Sequence, residues 1–212
     1  MDRPNRYSVP ENEGYEPGSN DEVLKNILGI KDSRTIEAVE EKELGRTGLQ
    51  LPELYDKTYQ FTALDVCDIH ELWLSGIYPF AGKYRTVNMS KAGFPFAAPG
   101  QIDKLMTDFE NKYLSRHTPS NYRDEEALAF ALGIVHVELI IIHPFREGNG
   151  RVARLLANLM AMQGGRGALN YQPIDKTHNL EGFNRYIESI QKGIMEDYEP
   201  IKKIFAEILN VS

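Results

Sequence analysis

The sequence predicts an all-α, mainly helical fold that carries one small β-hairpin. Apolar residues recur at three- and four-residue spacing in segment after segment, most clearly over 102–114 and 134–142. Strand-like alternation is confined to 85–97, with glycine and proline on both sides. No fixed-period self-similarity runs through the chain, so it is not a repeat array. At 212 residues, 42% hydrophobic and 26% charged, the chain has the length and composition of a soluble globular protein with one sizeable core.

Residues 1–20, rich in Pro, Gly, Asn and acidic side chains, read as a flexible tail, leaving 21–212 as a single domain. Asn20 can cap a short helix over 21–28. Asp32 or Ser33 can cap the next, which runs toward Leu44 and stops at Gly45, with Ile36, Val39 and Leu44 as a sparse inward stripe. A short helix is expected within 49–59, around Pro52. Over 62–74, Leu64, Cys67, Ile69, Leu72 and Trp73 fall at helical spacing, and His70 reads as structural or surface. Residues 85–89 and 93–97 then form a hairpin connected through 90–92. Two strands are marginal alone, so the hairpin must lie on the helical body or remain mobile. Its exposed edge can hold an extended segment by backbone pairing.

Ile102, Leu105, Met106, Phe109, Tyr113 and Leu114 give the next helix its stripe. Asn121 or Asp124 can cap the long helix that leads through 134–142. His136 and Glu138 on it read as structural residues, and with no third ligand at compatible spacing a zinc site is rejected. A helix over 179–191 and a last one through Ile208, with Ile201, Ile204, Phe205 and Ile208 inward, complete the chain.

A net charge of −7 argues against nucleic acid as the primary partner. No 18-residue apolar run and no charged start with an apolar segment are present, so neither a membrane span nor an ordinary secretory signal is expected. The single cysteine, Cys67, excludes an internal disulfide framework. The expected location is cytoplasmic, with signal-less export of an effector left open.

Chemistry concentrates in residues 143–154, His-Pro-Phe-Arg-Glu-Gly-Asn-Gly-Arg-Val-Ala-Arg. Pro144 ends the apolar helix, and a turn at 148–150 opens the next. Asn149 can cap that second helix while the flanking glycines let amides converge on an anion at its positive end. Arg151 and Arg154, three apart, can hold negative oxygens. Glu147 beside such a nest is explained if it binds magnesium bridging phosphates. His143 has the side chain suited to taking a proton from a hydroxyl. Base, metal ligand, cradle and cationic clamps are the parts of a phosphoryl or nucleotidyl transfer site.

The segment resembles the Fic-domain motif H-x-F-x-(D/E)-G-N-G-R-x-x-R at every specified position: His143, Phe145, Glu147, Gly148, Asn149, Gly150, Arg151 and Arg154. The resemblance covers most of 15–208, with only the dodecapeptide highly specific. It implies a Fic fold that transfers AMP from ATP to a Tyr, Thr or Ser hydroxyl of a target protein. By that analogy His143 is the base, Glu147 the Mg2+ ligand, and the 148–150 amides the cradle for the alpha and beta phosphates. Arg151 stabilises the beta phosphate and leaving group, Arg154 orients the gamma phosphate, and Phe145 anchors the loop in the core. The hairpin corresponds to the family's target-docking flap over 87–97, with Val87, Asn88, Met89, Phe94 and Phe96 as docking residues for an extended, hydroxyl-bearing segment. Asn184 and Tyr186 correspond by approximate resemblance to the nucleotide base pocket.

The family's inhibitory motif, Ser/Thr-x-x-x-Glu-Gly/Asn, has only a near miss at 33–38, where Ala38 replaces Gly or Asn. A separate small inhibitory antitoxin, placing its glutamate on Arg154, is therefore the leading regulatory expectation. Two further readings stand beside AMP transfer: transfer of another nucleotide or phosphate group on the same scaffold, and a catalytically silent nucleotide-binding module. Gly150 favours AMP transfer over the phosphorylating branch, which has lysine there. The intact base and metal ligand fit the silent module poorly.

Overall fold

The computed structural model describes residues 11–91 and 94–212. Seven helices of eight residues or more organise them: α1 Ser33–Leu54, α2 Ala63–Leu74, α3 Ile102–Phe109, α4 Glu125–Ile142, α5 Asn149–Gln163, α6 Leu180–Gly193 and α7 Glu199–Asn210. Short strands β1 Ser90–Lys91 and β2 Phe94–Pro95 lie between α2 and α3. The mainly helical class with one small hairpin is as the sequence predicts.

Side-chain caps start four of the helices. Asp32 accepts from the Thr35 amide at 2.8 Å, Asp124 from Ala127 at 2.9 Å and Asn179 from Gly182 at 2.9 Å. Thr62 and Asp65 form a reciprocal capping box on α2. In α4, 12 of 18 residues are buried. That helix is covered on nearly all sides, by α3, α5, α6 and α7, and its C-terminus delivers His143 to the surface of the core.

Three sequence expectations are corrected. Gly45 does not stop α1, which continues through Pro52 to Leu54. A glycine costs a helix only about 1 kcal/mol, and burial of Thr47 and Leu51 on the inward face offsets it. Residues 21–28 are not helical. Asn20 and Asp21 both adopt left-handed φ, 55° and 60°, and Asn26 braces the loop by bonding Leu24 O, Ile30 O and the Ile30 amide. Nor are residues 11–20 a free tail: Tyr15 pairs with Leu24, and Glu13, 3% exposed, accepts from the Thr86 amide at 3.1 Å and from its hydroxyl. A buried carboxylate with two donors is a docking contact that composition does not reveal. The remainder of the expected tail, 1–10, lies outside the described residues.

The hairpin is shorter than expected and is shifted in register. Ser90 faces Pro95 and Lys91 faces Phe94, so 90–91 belong to a strand rather than to the connection. The Phe96 amide extends the pairing to Met89 O at 3.0 Å.

Two histidines make the fold sensitive to acid. His70 and His136 are 0% and 1% exposed, and burial pushes their pKa values down to about 4 and about 3. Below pH 6.5 the unfolded chain therefore binds more protons than the folded one. Their stabilising contribution is complete above pH 6.5 and is lost as pH falls toward the folded values. Urea unfolding at pH 5 should give a stability lower by roughly 2 kcal/mol per histidine than at pH 7.

Candidate active site

The loop between α4 and α5 is built from local conformational demands. Pro144 disfavours the right-handed helical region for the residue before it, and His143 sits in the left-handed region at φ 53°, ψ 58°, capping α4. That conformation costs a non-glycine residue on the order of 1 kcal/mol, so the surroundings must hold it. Phe145 does so from below. It is 0% exposed and stacks on the His70 ring at 3.9 Å and 5°. His70 accepts from the Gly82 amide at Nδ1, 2.8 Å, so its Nε2 carries the proton and donates to Glu147 O at 3.1 Å.

Asn149 has a different task from the one its position suggested. Its side chain accepts from the Phe145 amide and donates to the Phe145 carbonyl, 2.8 Å each, closing the loop instead of capping α5. The N-cap is Gly148, at φ 81°. A Cβ there would lie 2.5 Å from the buried Trp73 ring, so both backbone and packing require glycine. The amides of Asn149 and Gly150, the first two of α5, have no carbonyl a turn behind them. A Cβ on Gly150 would meet nothing within 4 Å. An open helix N-terminus of this kind attracts phosphate.

Glu147 stands at the rim with its side chain 42% exposed, and its Oε1 accepts from the Gly148 amide at 2.7 Å and from Arg151 Nη2 at 3.1 Å. Among the described residues no group of three His, Cys, Asp or Glu side chains could hold a metal. One rim carboxylate suits magnesium, which takes one or two carboxylates and completes its shell with water and substrate phosphates. The two arginines of the motif diverge in their engagements. Arg151 lies on the Trp73 ring at 4.5 Å, whereas Arg154 lies on Tyr171 at 5.1 Å with its Nε buried and, among the described residues, lacking an acceptor.

His143 Nδ1 lies 3.2 Å from Ile140 O. A carbonyl only accepts, so the neutral ring carries its proton on Nδ1 and presents the Nε2 lone pair. Burial lowers its pKa to about 4, which keeps that lone pair available at neutral pH. Phe96 of the hairpin stacks on the ring at 3.7 Å and 7°.

Residues 60–161 match the model of the Fic/DOC family. These residues form a Fic/DOC domain. The protein adenylyltransferase Fic of Nematostella vectensis is 34% identical over 113 residues, 53% of this chain and 25% of that protein. The protein adenylyltransferase VbhT of Bartonella schoenbuchensis is 32% identical over 150 residues, 68% of this chain and 30% of that protein. The chain thus spans a quarter to a third of the length of these relatives. The crystal structure of BepC, a VirB-translocated effector of Bartonella tribocorum with bound AMPPNP, superposes with a TM-score of 0.73 at 23% identity, covering 93% of this chain and 96% of that one.

Within this Fic domain the structure brings His143, Glu147, the 148–150 turn, Arg151 and Phe96 together, with Phe145 beneath them. Met89 and Phe94 contribute backbone pairing to the hairpin, Val87 is half-buried at its foot, and Asn88 is exposed. Asn184 and Tyr186 do not converge. Asn184 is exposed, while Tyr186 is 6% exposed and its hydroxyl shares a 2.8 Å hydrogen bond with His136 Nε2. Tyr186 is therefore a core residue, and its side chain is not presented to a nucleotide base.

Sequence reasoning missed Glu40. This α1 residue is 4% exposed, receives Arg151 Nη1 on Oε2 at 2.6 Å and the Tyr78 hydroxyl on Oε1, and offers its carbonyl to Trp73 Nε1 at 2.9 Å. The signal was present: Glu40 is four residues from Ile36 and eleven from Leu51, on the inward face of α1. The near-miss residue Glu37, by contrast, is exposed. Glu40→Gln replaces an ion pair with a bond from the Arg151 guanidinium to a neutral carbonyl oxygen and leaves Arg151 with Glu147. Stability measured by urea unfolding should fall by about 2 kcal/mol.

Proposed function

We propose that this Fic domain transfers AMP from ATP to a hydroxyl side chain of a target protein, releasing pyrophosphate. The observation that carries the reading is a neutral imidazole that keeps its proton on Nδ1, leaves Nε2 as an acceptor and stacks on Phe96 of the hairpin, at the head of the loop that opens α5. The adenylyltransferase names of the two relatives support it.

In this reading the target segment adds to the hairpin edge by backbone pairing. His143 Nε2 takes the proton from its hydroxyl as the oxygen attacks the alpha phosphorus and the bond to the pyrophosphate oxygen breaks. The amides of Asn149 and Gly150 hold phosphate oxygens, and Arg151 meets the charge that develops on the leaving group. Magnesium, held by Glu147 and the phosphates, would neutralise charge on the triphosphate. Nδ1, fixed on Ile140 O, keeps the ring in the tautomer that accepts at Nε2.

A separate inhibitory protein is the regulatory part of the proposal. Among the described residues the buried Arg154 Nε lacks an acceptor, and a partner's glutamate beside that guanidinium would occupy ground needed by the gamma phosphate.

The deciding experiment incubates the chain with magnesium, native lysate and each labelled nucleotide in turn, then reads proteins by intact mass and modified peptides by fragmentation. AMP on a Tyr, Thr or Ser side chain supports the reading. Another nucleotidyl group on that side chain would move the activity to a different donor, and nucleotide binding without any modification would leave a silent module.

A further inference from the structure

Arg85 lies where the chain leaves the core for the hairpin, and it is 2% exposed. No carboxylate forms a salt bridge with it among the described residues. Its guanidinium instead donates to three main-chain carbonyls: Nε to His143 O at 2.7 Å, Nη1 to Val87 O at 2.6 Å and Nη2 to Ala97 O at 2.6 Å. Its own amide donates to Pro144 O at 2.8 Å. Burying a guanidinium is costly, and it persists where several acceptors offset the lost hydration.

The identity of those acceptors gives the arrangement its meaning. Val87 and Ala97 are the two feet of the hairpin, and His143 is the strained left-handed residue that bears the base. One rigid, planar fork therefore ties both feet to the backbone of His143. The connection closes on itself through the side chains, because Phe96, adjacent to Ala97, stacks on the His143 ring. A hairpin that lifted from this seat would release the His143 carbonyl and uncover its ring in the same movement.

Building on the AMP-transfer reading, we propose that Arg85 is a positioning residue that couples the seating of the hairpin to the aim of His143. A segment that pairs with the hairpin edge then meets a base already held in its attacking orientation. Arg85 touches neither nucleotide nor target in this account and acts through His143 and the hairpin. Lysine cannot replace it, since an ammonium on a flexible stem cannot hold three divergent carbonyls in one plane.

The test uses Arg85→Lys in the full chain. Hydrogen exchange at the Phe96 amide should quicken by roughly 10-fold or more, and the His143 ring should titrate at a shifted pH by NMR. ATP affinity should stay within about 2-fold of wild type, because the cradle is seated by Phe145, Asn149 and Trp73. AMP transfer should fall in kcat by roughly 10-fold or more, with KM for ATP unchanged. Wild-type exchange and titration in the variant would overturn the proposal, as would a loss of ATP affinity equal to the loss of transfer. Should the lysine variant not fold, the wild-type chain still decides. The Arg85 Nε–H and the Phe96 amide must then exchange through one opening, with protection equal within about 2-fold, and protection differing by about 100-fold would overturn the coupling. Because exchange needs no turnover, a chain that transfers no AMP would refute the functional reading and leave this result standing.

Discussion

His143→Ala should transfer AMP at least about 10²-fold more slowly than wild type while binding ATP with little change and retaining a cooperative melt. The imidazole carries its proton on Nδ1 and so offers Nε2 as an acceptor, whereas phosphate would be held by amides and guanidinium groups that do not pass through it. His143→Asn sharpens the result. Asparagine tolerates left-handed φ better than alanine, so the backbone at 143 keeps its conformation and the loss reports the missing base. Transfer and melting measured together decide the point: normal turnover in a folded variant removes His143 from the base role. The same group sets a pH expectation. Burial lowers its pKa to about 4, so protonation of His143 should suppress kcat/KM only as pH falls toward 4. An acid limb near the ordinary histidine value of about 6.5 would mean that the ring is hydrated in the working enzyme.

Gly148→Ala should be the more damaging to the fold. Its backbone stands at φ 81°, and the new methyl carbon would lie 2.5 Å from the Trp73 ring, which is 1% exposed and cannot yield. Left-handed strain and overpacking together should cost about 2–4 kcal/mol, measured by urea unfolding. ATP affinity should drop by roughly 10-fold or more, because the turn must shift to make room. Gly150→Ala is the informative contrast. Nothing stands within 4 Å of its Cβ and its φ is not positive, so stability should hold while the methyl projects into the space above the amides and weakens ATP binding. Equal destabilisation by both changes would contradict this account of the turn.

Much of the molecule was legible in the chain because its determinants are local. Helical stripes, the caps at Asp32 and Asp124, and the Pro144 break each depend on residues within a turn or two of one another. Where reasoning failed, packing or a competing hydrogen bond overruled a local preference. Gly45 reads as a stop, yet packing of Thr47 and Leu51 carries α1 onward. Asn149 reads as a cap, yet Phe145 offers it two bonds at once. Tyr186 corresponds to a base contact only by approximate resemblance, and its hydroxyl bonds His136 in the core. Residues 11–20 have the composition of a tail, yet Glu13 is buried against Thr86.

By itself the sequence determined the helical class, the hairpin and the loop in which a histidine, a glutamate, a Gly-Asn-Gly turn and two arginines follow one another, because all of these are written within a few residues of one another. The tertiary structure alone decided what holds that loop in working order. Glu40 reaches Arg151 across 111 positions, His70 reaches Glu147 across 77, and Arg85 reaches His143 across 58. Periodicity records which face of a helix is buried, but it carries no information on which distant side chain will meet that face, so these supports became visible only when the helices were packed together.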